Sequence, residues 1–174
     1  MKPVRLDALL SRYGYCSRSE ARAWVKDGRV TATGRAFSSP SDKASPGTVL
    51  VDGEPVEFPD GLLVLLHKPA DHVCSHDPGE GPSVYDLLPP RWLMRNPVVT
   101  TIGRLDKDAT GVLLITDDGD LVHRWTSPKH KVAKVYEVTV AEDLRPDIIG
   151  IFASGALMPR TPCSSNAPPS PRRT

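Results

Sequence analysis

The chain has 174 residues, 39% apolar and 25% charged, with 18 prolines and a formal net charge of +1. That length suits one ordinary domain or two small ones, and the near-balanced charge excludes a polycation. No run is long and apolar enough to cross a bilayer, the charged start Met1-Lys2-Pro3-Val4-Arg5 lacks a signal-peptide apolar region, and three scattered cysteines (Cys16, Cys74, Cys163) argue for a reducing, cytoplasmic setting rather than a disulfide framework.

Residues 5–13, RLDALLSRY, put Leu6, Leu9, Leu10 and Tyr13 at helical spacing, and Gly14 ends the turn. Ser17-Arg18-Ser19-Glu20 has the form of a capping box, with Ser17 capping and Glu20 reaching back. It predicts a second helix with Ala21, Trp24 and Val25 inward and Asp27-Gly28 as its stop. Arg18, Arg22 and Lys26 recur every four residues and share one helix face, which Arg29 continues. Residues 1–36 carry eight basic side chains against three acidic ones. The plainer reading of such a face is solvation. A face that only keeps a protein soluble mixes signs, however, whereas a one-signed patch attracts phosphate. A strand over 29–33, turns at Gly34 and Pro46-Gly47, a strand over 48–51 and a hairpin at Asp52-Gly53 follow.

This half resembles the small RNA-binding domain named after ribosomal protein S-four, in RLDALLSRYGYCSRSEARAWVKDGRVTATGR and in SPGTVLVDGEPV. The resemblance implies binding of structured RNA, with Arg5, Arg18, Arg22, Lys26 and Arg29 on phosphates. Such contacts position an RNA more than they read its sequence.

Residues 54–61, EPVEFPDG, read as a linker. Residues 62–66 form a continuous apolar run, the pattern of a buried strand, ended by His67-Lys68-Pro69. A loop over 70–83 and one helical turn over 84–88 precede Pro89-Pro90. Two further strands, 98–102 and 112–115, enclose Gly103, Arg104, Leu105, Asp106, Lys107, Asp108, Ala109, Thr110 and Gly111. That connection is too long and too charged for a tight turn. It reads as a loop presenting a carboxylate, Asp106, with its two glycines allowing close approach. A short helix over 121–125 follows, then a strand over 132–140, where Val132, Lys134, Tyr136, Val138 and Val140 alternate with the residues between them. A helix from 144 to 153, capped by Gly155, and a disordered tail over 159–174 with five prolines complete the chain. His67, His72, Cys74 and His76 crowd ten residues but lack the paired ligand half of a zinc site, so no metal is expected.

The segment GRLDKDATGVLLITDDGDLVHRWTSPKHKVAKVYEV, with HKP and PSVYDLLP before it, resembles the catalytic region of the RsuA/RluB-type rRNA pseudouridine synthases. The order of an S-four-like domain followed by this region is that family's own, and HRWTSPKH leans toward the branch acting on small-subunit (16S) rRNA. The resemblance implies an α+β chain. A small two-helix-plus-sheet RNA-binding domain spans 1–57, a linker 58–61 and a mixed-sheet catalytic domain 62–158, with the tail over 159–174.

It also implies isomerisation of a uridine to pseudouridine with no cofactor. Asp106 is then the carboxylate near the ribose, attacking C1′ or removing a sugar proton. Tyr136 packs on the base, Arg104 holds the backbone or helps flip the base, and Lys68 of the KP motif is structural or near RNA. The implied partner is structured ribosomal RNA, with no membrane and a monomeric state. The family continues into a late basic motif resembling EGKYHQVKRM, whose Lys or Arg pairs with the catalytic Asp. Residues 159–174 do not match it and read as a frameshift, a gene fragment or a mis-called end. The catalytic domain is therefore expected to be incomplete at its C-terminus, with little or no turnover. The competing reading is a non-catalytic RNA-binding module that keeps only the function of the N-terminal domain.

Overall fold

The described residues are 2–32, 35–141 and 143–155 of a computed structural model. Helix α1 (Leu6–Arg12) buries Leu6, Leu9 and Leu10, and α2 (Ala21–Lys26) buries Ala21 and Val25, as their spacing predicts. The capping-box pair forms, with Ser17 N donating to Glu20 Oε2 at 2.8 Å and Glu20 N to Ser17 Oγ at 3.3 Å. Both helices pack on antiparallel strands: β1 (Val4–Arg5) pairs with β4 (Lys43–Ala44), and β2 (Val30–Ala32), β3 (Arg35–Ala36), β5 (Val49–Val51) and β6 (Glu54–Pro55) form a sheet of order β3-β2-β5-β6. At the β5–β6 hairpin Asp52 and Gly53 both take positive φ, 52° and 88°, as a two-residue turn of the twist-matching kind requires. A first buried cluster gathers α1, α2 and these strands around Leu6, Leu10, Tyr13, Val25, Val30 and Val49.

Carboxylates brace this part. Asp42 accepts from the amides of Ser38 and Ser39 and from the Ser38 hydroxyl, which holds its pKa below the ordinary value. Asp7 is held low by its hydrogen bonds from Arg5. Burial pushes Glu57 up, but the Trp92 indole and the Arg91 guanidinium outweigh it and the net direction is down. A carboxylate depressed in the folded state stabilises the fold above its unfolded pKa and loses that contribution as pH falls through the folded value. The thermal midpoint is therefore expected to hold steady from about pH 7 to 5 and to fall below about pH 4, measured by calorimetry across that range.

The second sheet has the order β7-β9-β8, all antiparallel, from β7 (Leu63–Lys68), β8 (Thr100–Thr101) and β9 (Gly111–Thr116). A second buried cluster joins its inner face to Leu62, Val84, Tyr85, Leu88 and Val99. The apolar run at 62–66 is not buried on both faces. Its strand alternates, with Val64 and Leu66 toward the cluster while Leu63 is 53% and Leu65 65% exposed. A run of leucines cannot tell a strand covered on both faces from one covered on one. The turn at 84–88 forms as a 3-10 helix, Val84–Leu87, capped reciprocally by Ser83 and Asp86. Short helix α3 (Pro90–Leu93) follows it, and α4 (Gly119–Thr126), capped by Asp118, follows β9.

Two compact units divide the chain, Met1–Ala133 and Lys134–Thr174. The predicted strand over 132–140 does not form, and Val135 (94%), Tyr136 and Val138 are exposed. Alternation marks a strand only where a neighbour supplies hydrogen bonds and a covered face, and no strand pairs with this stretch among the described residues. The last helix, α5 (Ile148–Ser154), begins later than the predicted 144, because Pro146 disfavours helical geometry at Arg145. Gly155 ends it at φ 71°. The predicted turn at Gly34, the break after Met158 and the tail over 159–174 lie outside the described residues. Among the described residues no helix is long and apolar enough to cross a membrane.

Candidate active site and RNA-binding face

The connection from β8 to β9 turns its charges outward and its carbonyls inward. Arg104, Asp106, Lys107 and Asp108 are exposed. Their backbone is held from below. Lys68, fully buried at the end of β7, donates from Nζ to the carbonyls of Lys107 at 2.9 Å, Ala109 at 2.7 Å and Pro69 at 3.0 Å. The Cys74 thiol donates to the carbonyl of Leu105 at 3.6 Å, and the Ala109 amide to that of Asp106 at 3.1 Å. Gly103 (φ 79°) and Gly111 (φ 141°) hinge the loop at its two ends; nothing lies near a Cβ built on Gly103, so backbone conformation rather than crowding calls for glycine there. Asp106 thus stands on an anchored backbone, and its carboxylate has no ion-pair partner among the described residues.

Lys68 is accordingly no RNA contact: its three protons are all given to backbone carbonyls. The sequence carried a faint signal of this, a lone lysine closing an apolar run. The histidine-rich loop is spent on local bonds as well. His72 Nδ1 lies 2.9 Å from the Ala70 carbonyl, and His76 Nε2 lies 3.0 Å from that of Val99 while its ring stacks on Tyr85 at 3.7 Å. Tyr136, in the second unit, is 77% exposed.

On α2 and the turn before it, Arg18, Arg22 and Lys26 are exposed and form no salt bridge among the described residues. Arg22 and Lys26 border an open groove of about 730 Å³ that runs to the loop of Ser38, Ser39 and Ser41, a polar wall the helix periodicity did not reveal. The two other predicted arginines are committed elsewhere. Arg29 makes a bidentate pair with Asp52 at 2.9 and 2.6 Å and stacks 3.7 Å over Trp24. Arg5 makes a similar pair with Asp7 at 3.1 and 2.7 Å.

A basic helix beside a groove and an anchored, outward-facing carboxylate are the two parts an RNA-modifying protein needs. The family described as RNA pseudouridylate synthase matches residues 62–162, and the S4 domain matches residues 4–50. The chain belongs to the RNA pseudouridylate synthase family, with an S4 domain before its catalytic region. The ribosomal small subunit pseudouridine synthase A of Vibrio parahaemolyticus is 41% identical over 156 residues, 87% of this chain and 64% of that protein. The protein of the same name from Escherichia coli K12 is 35% identical over 87% of this chain and 65% of its own length. An uncharacterized RNA pseudouridine synthase of Bacillus subtilis, YtzG, is 37% identical over 87% and 64%. A crystal structure of a pseudouridylate synthase aligns with 87% of this chain and 64% of its own, at 31% identity and a TM-score of 0.45. The chain spans just under two thirds of the length of these relatives. Asp106 of GRLD and Lys68 of HKP both fall within the residues matched by that family, with Lys68 turned inward to hold the loop that carries Asp106.

Proposed function

We propose that this chain isomerises a uridine of small-subunit ribosomal RNA to pseudouridine. The N1–C1′ bond breaks, the base turns, and C5 bonds to C1′; the C5 proton leaves to solvent and N1 takes one up, so no cofactor takes part. Asp106 is the carboxylate that works at the ribose, Arg104 holds the backbone of the extruded nucleotide, and Tyr136 offers its ring to the base. Arg18, Arg22 and Lys26, in an S4 domain over 1–57, grip the surrounding RNA, and 62–158 form the catalytic region. The target base must leave its stack, at a cost of a few kcal/mol.

The observation that carries this reading is the anchored Asp106 loop. A carboxylate with no ion-pair partner among the described residues stands on a backbone held at Leu105, Asp106, Lys107 and Ala109, so the loop that presents it to a substrate need not first be ordered. The small-subunit target is supported by the names of the Vibrio and Escherichia relatives. Since no cation pairs with Asp106 among the described residues, no counter-ion fixes the direction of its carboxylate, and slow turnover is expected of this chain.

The test is tritium release from small-subunit rRNA labelled at uridine C5, with protein in excess over RNA. Slow release is expected from the chain, and Asp106→Asn lowers it by about 10³-fold or more, the order lost when a central reacting group is removed, with RNA binding retained. Equal release by Asp106→Asn removes Asp106 from the chemistry. Tight binding with no release at all leaves the RNA-binding module as the function.

A further inference from the structure

Residues 121–133, which contain the stretch HRWTSPKH, hold Arg124, Lys129 and Lys131 and no acidic side chain. The function proposed above gives them no task. All three cations are exposed and form no salt bridge among the described residues. Arg124 lies in the last turn of α4, where a cation complements the carbonyl end of the helix dipole. That account does not reach Lys129 and Lys131, which lie past the helix end.

The backbone that carries them is closed on itself. Ser127 N donates to the His123 carbonyl at 3.0 Å, His130 N to that of Ser127 at 3.1 Å and Lys131 N to that of Pro128 at 3.3 Å. The Ser127 hydroxyl accepts from the Lys129 amide at 3.3 Å and starts the 3-10 turn Pro128–His130. The rings of His123 and His130 meet edge to face with centroids 5.4 Å apart, so the turn folds back onto the helix. Trp125 stands among these cations. It follows Leu121 by four residues and Val122 by three, so it shares their face of α4. Those two are half-buried, whereas Trp125 is 50% exposed. Its indole meets no other ring and no cation among the described residues. A lone exposed aromatic needs no explanation, but one set among free cations has the make-up of a platform for single-stranded nucleic acid.

We propose that α4 and the turn after it form a second RNA contact, made to an unpaired stretch of the substrate. Arg124, Lys129 and Lys131 meet its phosphates, and the Trp125 indole stacks on one of its bases. The two basic surfaces then read different things. The cations of α2 hold a folded RNA through its phosphates, while the indole needs a base with a free face. A duplex hides its base faces, so the substrate is a structured RNA that carries an unpaired segment. Stacking accepts every base, so strandedness is selected here and sequence is not. The contact rests on the reading above only in taking RNA as the substrate; it does not depend on the chemistry at Asp106.

Titration of the full chain with a uridine decamer, followed by tryptophan emission, tests this contact. Of the three tryptophans only Trp125 is exposed; Trp24 lies under Arg29, and Trp92 donates to Glu57 at 2.8 Å. The decamer is expected to quench the emission, and most of the quench is lost in Trp125→Phe. A fully paired duplex of the same length leaves the Trp125 emission unchanged. Affinity for the decamer falls about tenfold in Trp125→Leu and stays within about threefold in Trp125→Phe, which keeps a ring. Replacing Arg124, Lys129 and Lys131 together by Gln is expected to flatten the dependence of log K on log salt by about 2, three single-strand contacts at about 0.7 each. Should Trp125→Leu fail to fold, the quench difference in Trp125→Phe and the slope of the Gln variant decide. Wild-type affinity in Trp125→Leu, or an undiminished quench in Trp125→Phe, overturns the stacking contact. Equal losses of decamer, duplex and polyglutamate binding in the Gln variant mark a general polyanion surface and overturn it as well. Quench and slope as expected, in a chain that releases no tritium from any RNA, uphold the contact and reject the isomerase reading. Tritium release from a chain whose Trp125→Leu variant binds the decamer normally does the reverse.

Discussion

Lys68→Met is expected to cost about 3 kcal/mol or more and to lower the thermal midpoint by about 6–12 °C. The substitution nearly preserves volume, so the effect comes from polarity rather than from a cavity. Three carbonyls, those of Pro69, Lys107 and Ala109, share one ammonium under the loop. A buried acceptor that loses its donor costs about 1–3 kcal/mol, and removing the burial of a charge returns part of the sum. The local signature distinguishes this from ordinary core damage. Exchange at the amides of residues 107–110 is expected to rise before that of β9, because the loop loses its floor while the β7–β9 ladder keeps its bonds. Tritium release should fall with RNA binding unchanged, since Asp106 is no longer held. A midpoint within about 1 °C of the wild type, with unaltered loop exchange, would mean that water replaces the ammonium and that Lys68 holds nothing.

This arrangement shows where the sequence was legible and where it was not. The spacing of Leu6, Leu9, Leu10 and Tyr13 and the Asp52-Gly53 turn encode structure within a few residues and form as read, while the Ser17–Glu20 pair forms its reciprocal bonds in the turn before α2, whose N-cap is Glu20 and not Ser17. The loop around Asp106 was recognisable from its charges and glycines for the same reason. What holds it was not, because Lys68 and Cys74 lie more than thirty residues away in sequence and act on carbonyls, which every residue type possesses. Arg95 escaped notice likewise: a single arginine after Trp92-Leu93-Met94 looks like surface until Asp117, Glu57 and Phe58 are seen around it. The carboxylate partners of Arg29 and Arg5 were not legible either, because helix-face and charge-count arguments cannot see a carboxylate that arrives from a distant turn or turns back from the next residues. The stretch over 132–140 failed for the converse reason: its pattern is strand-like, but a strand is a property of two segments and the pattern belongs to one.

Charge removal on α2 tests the grip on RNA, and its sign depends on which cations are free. Replacing Arg18, Arg22 and Lys26 together by Gln is expected to weaken binding to a structured rRNA transcript and to flatten the dependence of log K on log salt by about 2–3. Each phosphate contact releases counterions worth about 0.7–0.9 of slope, so the change counts contacts rather than general charge. The three side chains are exposed and form no salt bridge among the described residues, so stability should stay within about 0.5 kcal/mol. Arg29 supplies the control. Removing it with its partner, as Arg29→Gln with Asp52→Asn, leaves the net charge unchanged and deletes a pair that already satisfies itself at 2.9 and 2.6 Å. Binding and salt slope are expected to stay at wild-type values in that variant. A slope that falls by about 1 in the control would return Arg29 to the phosphate contacts, because only a guanidinium that exchanges Asp52 for RNA on binding could produce it. An unchanged slope in the triple variant would move the RNA grip off α2 altogether.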